Sequence, residues 1–327
     1  SKMLPYPFDR KIRKLVIACC EAGAAQIISS LVKNHHFYEE IHFCLSGPAV
    51  AIFENRIGNI TIEKLDIINP LGKNDFVLAG RSLVPDFERN AINMANINGI
   101  RNGVFLDHWV NFDNFFMPMN SDKNFNANLY MPMYIFAGDD YAFDMAKKLY
   151  GDRTVYIENE YFNDILKRSE QFMDTTRQGT LLFLTDPLSD DNKKLNNGSK
   201  LFNFDEFDVL DDLLKHTDIL KKIGIDQIII RYHPNHSEEA FRLNVFDKIR
   251  YNKDLNVVID GKTDLLEQIM SARIIIGIES MGLVISQMVG KMTFSYVPAH
   301  GTKSIIFPLK VNKKKRDSRE IPKELTP

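Results

Sequence analysis

Tryptophan occurs once in 327 residues and cysteine three times. The thiols, Cys19, Cys20 and Cys44, share one early segment, and their spacing fits neither a zinc site nor a disulfide framework. Strand-like flanks make them small buried hydrophobes in reduced form, which points to a cytoplasmic chain. No run reaches the roughly 18 apolar residues of a spanning helix and no signal-peptide pattern opens the sequence, so a soluble chain is expected. An excess of one charge is also lacking, with 41 basic residues against 43 acidic ones. That balance excludes the strong phosphate-neutralising field of a dedicated nucleic-acid binder. The first turn has no GxGxxG fingerprint, which argues against a dinucleotide oxidoreductase, and no GxxxxGKS or GxxxxGKT phosphate loop is present. A DxD triplet is missing, and His233 with His236 would need further metal ligands that the sequence does not place. Metal-independent chemistry without a cofactor is the expectation.

What the chain does have is a repeated strand-then-helix rhythm. Residues 14–20 read as strand, 21–25 as a small-residue turn and 25–33 as helix. Strands follow at 41–45, 75–79, 103–107, 133–137 and 154–157, with helices at 88–98 and 141–149. Residues 159–179 read as a polar helical crossing. Beyond it come strands at 181–185, 227–231, 257–259 and 273–278, a closing strand at 291–297, and helices at 207–223, 237–250, 264–270 and 282–289. This alternation predicts an α/β chain of two parallel-sheet, Rossmann-like domains facing a cleft. The boundaries are residues 1–160 for the first domain, 161–310 for the second, and 311–327 for a basic polar tail or linker. The cluster Lys313-Lys314-Lys315-Arg316 in that tail is either a solvated terminus or a docking point for an anionic membrane leaflet.

Ligands of open α/β sheets bind outside the carboxyl ends of the strands. His233, with Pro234 behind it, follows the apolar run Ile228-Ile229-Ile230 and so sits at such an end. An imidazole there suits a departing phosphate oxygen, the alternative being a capping residue on a surface turn. Ser280, with the backbone N–H groups of Met281 and Gly282, opens a helix directly after a strand, which makes either a phosphate cradle or an ordinary N-cap. Glu279 beside it either accepts a ribose hydroxyl or is simply solvated. Asp190 and Asp191 lie in an acidic loop past residue 185 that supplies a general base or merely caps a helix. On the first domain, Glu21 and Gly23 follow the first strand, and Asp107, His108 and Trp109 follow another. Trp109 suits stacking on a sugar ring, with Asp107 or His108 handling a hydroxyl proton; the bland account makes it an interface anchor.

Those residues carry two resemblances. Asp190-Asp191-Asn192, His233-Pro234 and Glu279-Ser280 fall in the order of the acidic, His-Pro and Ser motifs of bacterial sialyltransferases and polysialyltransferases, and the chain as a whole resembles a GT-B glycosyltransferase. Asn192 stands where that family has Gly, and Ser280 lacks a neighbouring Ser or Thr. The resemblance implies a CMP-activated ulosonic acid donor, with His233 and Ser280 on the CMP phosphate. Asp107-His108-Trp109-Val110-Asn111 is similar to a motif of bacterial surface-polysaccharide transferases, which makes Asp107 the rival of Asp190 and Asp191 as the base. The resulting expectation is transfer of an ulosonic acid from a CMP donor to a surface-glycan acceptor. Its competitors are a UDP-sugar transferase, a UDP-sugar 2-epimerase that needs no acceptor, and a non-catalytic assembly module.

Overall fold

The structure, a computed structural model, describes residues 3–82, 86–107, 116, 126–186, 204–234, 236–250, 252, 254–278 and 280–296, and the backbone of 312–315. The chain divides into two units, Ser1–Asp164 and Ile165–Pro327.

The first unit is built on a six-stranded parallel sheet of order β2-β1-β3-β4-β5-β6. Its strands are β1 (Ile12–Cys19), β2 (Tyr38–Leu45), β3 (Phe76–Ala79), β4 (Arg101–Phe105), β5 (Tyr134–Ala137) and β6 (Thr154–Tyr156). Helices α1 (Ala22–Asn34), α2 (Ala49–Ile57), α3 (Phe87–Ile97), α4 (Asp140–Tyr150) and α5 (Glu160–Ser169) connect them and lead out. Side chains alternate across a strand, and here both faces are covered. Leu15, Ile17, Phe76, Leu78, Phe105 and Phe136 form one core layer, while Val16, Ala18, Val77, Val104 and Ile135 form the other. Burying each large apolar side chain contributes about 1.5–3 kcal/mol.

The second unit repeats the plan with the parallel order β12-β11-β10-β7-β8-β9. Here β7 is Arg177–Leu184, β8 Gln227–Arg231, β9 Asn256–Ile259, β10 Ala272–Gly277, β11 Met292–Tyr296 and β12 Asn312–Lys315. The helices are α6 (Glu206–Lys215), α7 (Thr217–Lys222), α8 (Glu238–Arg250), α9 (Leu265–Ser271) and α10 (Met281–Met288). Leu181, Phe183, Ile228, Ile230, Ile274, Ile276 and Phe294 pack into one core.

Three elements differ from the sequence reading. The helical crossing ends early: Arg177 is already paired with Ala272 as strand, where Gly179 suits close approach to Asp226 better than it suits a helix. The helix expected over 207–223 breaks at His216, whose ring bonds the Asp212 carbonyl at 2.8 Å while its backbone leaves helical geometry. The polar tail contributes β12, which extends the sheet in parallel beyond β11. The fold class is as expected, two parallel-sheet α/β units of Rossmann-like plan.

Candidate functional site

In the first unit the carboxyl ends of β1, β3 and β4 meet, and the sheet order reverses there, since β2 lies on one side of β1 and β3 on the other. Asp107 stands two residues past β4 and is 3 % exposed. Gly23, in the first turn of α1, lies against it; a Cβ at Gly23 would overlap the Asp107 carboxylate oxygen. Glycine here admits the carboxylate to the amino end of α1, where the free N–H groups and the helix dipole favour negative charge. Arg81, just past β3 and 5 % exposed, feels the Asp107 charge, yet burial pulls its guanidinium down to about 9. Gly80 lets α3 close over the same spot, because a Cβ there would meet Ala24, Glu88 and Cys19. The Glu88 carboxyl is 2 % exposed, and the Ser82 hydroxyl donates to its Oε1. Arg89 next to it pairs with Asp86 at 3.3 Å. Glu21 is one of the charges that raise Glu88.

In the second unit β8 and β10 flank β7. The sheet reverses its order there, and the loops after β8 and β10 are two strand spacings apart, roughly 10 Å. Ser280 occupies the N-cap of α10 in extended conformation, yet its side chain makes no capping bond. Its Oγ is buried with no hydrogen-bond partner among the described residues. An N-cap Ser is expected to satisfy the N–H two or three residues on; here the Leu283 N–H donates to the Ser280 backbone carbonyl at 3.0 Å instead, and the hydroxyl is left for an acceptor. Gly282 supports the arrangement, since a Cβ there would meet Leu184 at 2.6 Å. The close approach that needs glycine is thus between helix and strand, with Met281 half-buried beside it.

His233 lies two residues beyond β8, half-buried, and Pro234 after it is exposed. His236 holds the turn. The His233 N–H donates to its Nδ1 at 2.8 Å, and the His236 N–H returns to the His233 carbonyl at 2.8 Å. His236 Nε2 meets Glu206 Oε1 at 3.2 Å, and the Glu206 side chain is fully buried. With Nδ1 accepting, the ring proton sits on Nε2 and is donated to Glu206. His236 is therefore a splint for the His233 turn. At the base of the turn, the Arg231 guanidinium donates to Gln268 Oε1 at 2.9 Å and to the Thr263 carbonyl.

Of the residues singled out from sequence, Gly23 and Asp107 are brought into contact, and His233 and Ser280 each sit past a strand end. His108, Trp109, Asp190, Asp191 and Glu279 lie outside the described residues. Glu88, Arg89 and Glu206 escaped the sequence reading. Each looks like an ordinary charge in a helix's first turns, and nothing local marks it as buried. Among the described residues no group of three or more His, Cys, Asp or Glu is placed to hold a metal ion, and no helix is long and apolar enough to cross a membrane.

No protein-family model matches the chain, and no curated protein does either. Solved structures do match. One is Methanocaldococcus jannaschii UDP-GlcNAc 2-epimerase in complex with UDP-GlcNAc and UDP, at 14 % identity and a TM-score of 0.60, covering 95 % of this chain and 91 % of that one. Another is Anabaena Alr3699/HepE in complex with UDP and glucose, at 9 % identity and TM-score 0.56, covering 96 % and 89 %. A third is S. aureus MnaA with UDP, at 12 % identity and TM-score 0.55, covering 86 % and 78 %. At these identities the likeness is one of fold, a GT-B-like pair of Rossmann-like domains.

Proposed function

We propose that the chain is a nucleotide-sugar enzyme that uses a UDP-sugar, with hydrolysing 2-epimerase chemistry ahead of transfer from a CMP-ulosonate. The observation that carries the nucleotide part is the Ser280 hydroxyl, buried at a helix start without capping it. An anion-binding helix terminus at a strand's carboxyl end is the kind of place where a nucleotide phosphate settles. The preference for uridine rests on the solved structures of like fold, which are complexes with UDP or a UDP-sugar. In this reading the C2–H bond gives up its proton, its electron pair becomes a C1–C2 double bond, and the anomeric C–O bond breaks with its pair going to the phosphate oxygen; water then adds across the double bond to give the epimeric free sugar. Ser280, the N–H groups of Met281 and Gly282, and His233 receive that charge. Asp107 takes the proton released on the sugar side. Glu21 and Gly23 shape the Asp107 surroundings, and no metal or cofactor is invoked.

Two measurements bear on this. A ligand that binds only the native state raises apparent stability, by about 2.7 kcal/mol at 100 times Kd, which for units of this size is a shift of roughly 5–10 °C. UDP and UDP-GlcNAc are expected to give that shift in a thermal melt, with CMP giving less, and UDP-GlcNAc should release UDP without an acceptor. A larger shift with CMP would return CMP-ulosonate transfer to the front, and no shift with any nucleotide would leave the assembly-module reading. Ser280→Ala removes one hydrogen bond to the phosphate, worth about 1.5–3 kcal/mol with a charged partner. It is expected to weaken UDP binding at least tenfold in calorimetric titration while leaving the melting temperature of the free chain within about 2 °C. Unchanged affinity would exclude the hydroxyl from the phosphate site.

A further inference from the structure

We infer that Glu88 is a positioning residue that stores a proton beside Asp107. This rests on the role given to Asp107 above, and it adds a group that neither the sequence motifs nor the fold likeness singles out.

The two carboxyls have different surroundings. Glu88 Oε1 accepts from a neutral hydroxyl, Ser82, and Oε2 has no hydrogen-bond partner among the described residues. That second oxygen is directed at Gly80, in a pocket shared with the Ala24 methyl and the Cys19 thiol. Cys19 itself is held neutral, its thiol pushed well up by burial and then by the charges of Glu88 and Asp107. Asp107 instead lies against the amino end of α1, and its charge acts on the Arg81 guanidinium more strongly than that of Glu88 does. Charges facing Glu88 come from several neighbouring elements: Glu21 after β1, Arg81 after β3, Asp107 after β4, and Arg89 on α3. Arg89 is engaged with Asp86. Two carboxyls sharing a buried cluster do not both ionise readily. Burial first, with Asp107 and Glu21 adding to it against the Ser82 hydrogen bond and Arg89, pushes the Glu88 carboxyl up to about 8.

The folded chain therefore keeps a proton that the unfolded chain releases near pH 4.5. Stability from this group is full below that value and falls as pH rises to about 8, where the folded carboxyl ionises. Melting temperature should drop between pH 5 and 8 by on the order of 10 °C more in the native chain than in Glu88→Gln, which cannot ionise. If Glu88→Gln does not fold, difference infrared spectra of the native chain serve instead. A protonated-carboxylic-acid carbonyl band should be present at pH 6 and lost with a midpoint near 8. With turnover of UDP-GlcNAc in hand, the alkaline limb of kcat/KM near that pH should vanish in Glu88→Gln while the acid limb stays. A merely structural Glu88 would not move that limb. Equal melting slopes in the two proteins, or no such infrared band at pH 6, would overturn the inference. Absence of turnover would remove the UDP-sugar reading alone, because the melting and infrared measurements need no substrate.

Discussion

Asp107→Asn is expected to lower turnover of the nucleotide sugar about 100- to 10,000-fold, the range over which a positioned general base acts. Asn keeps the volume and the contact with Gly23, so the fold of the first unit should be retained. What disappears is the proton acceptor. The nucleotide phosphate is assigned to Ser280, Met281, Gly282 and His233, so UDP affinity should change by less than about threefold and the loss should fall on kcat. Steady-state kinetics beside a UDP titration separates the two quantities. A loss below fivefold would remove Asp107 from the chemistry; an equal loss of UDP affinity would make it a binding residue. The amide also ends the charge repulsion that Glu88 feels from Asp107, so the infrared midpoint of Glu88 should move down in the same variant.

His236→Ala is expected to have the largest effect on stability, about 1.5–3 kcal/mol, because it removes a hydrogen bond to a buried carboxylate. The ring also accepts from the His233 backbone, so the turn that presents His233 loses its splint. UDP affinity should fall together with stability. His236→Gln offers an acceptor and a donor on one side chain and should restore part of both. Urea unfolding and UDP titration of the two variants give the check. A His236→Ala protein as stable as the parent would show that Glu206 is held by its other contacts and that the turn stands by itself.

Much of this architecture is legible in the sequence because a buried parallel strand must be apolar on both faces. Ile228-Ile229-Ile230 and Ile274-Ile275-Ile276 announce β8 and β10, and Val16-Ile17-Ala18 announces β1, each with a small residue or helix start behind it. The same logic places Asp107, His233 and Ser280 past strand ends. What is not legible is burial of charge. Glu88 and Glu206 sit in first turns of helices, where acids are favoured by the dipole whatever else they do. Only the packing of α3 over Gly80, and of α6 beside the His233 turn, turns them into interior groups. His236 reads equally as a helix-start residue and as part of the site, since its role depends on a partner thirty residues upstream. The strand at Asn312–Lys315 is hidden for a related reason. Its composition is that of a solvated tail, and pairing with β11 is a tertiary event that overrides it.

The order of strands in the two sheets bears on how the chain emerges from the ribosome. In the first unit β2 and β3 both pair with β1, after which β4, β5 and β6 each join the strand made just before. In the second, β8 and β9 extend one side of β7, and β10, β11 and β12 then extend the other. Every strand thus finds its partner already synthesised, and neither sheet leaves a gap to be filled by a segment made later. Nascent chains fold roughly in order of synthesis, and unpaired strand edges are their main hazard. Outward growth from β1 and from β7 keeps the exposed edge to the newest strands of each half, and β12, the latest of the described strands, pairs with the edge that β11 offers.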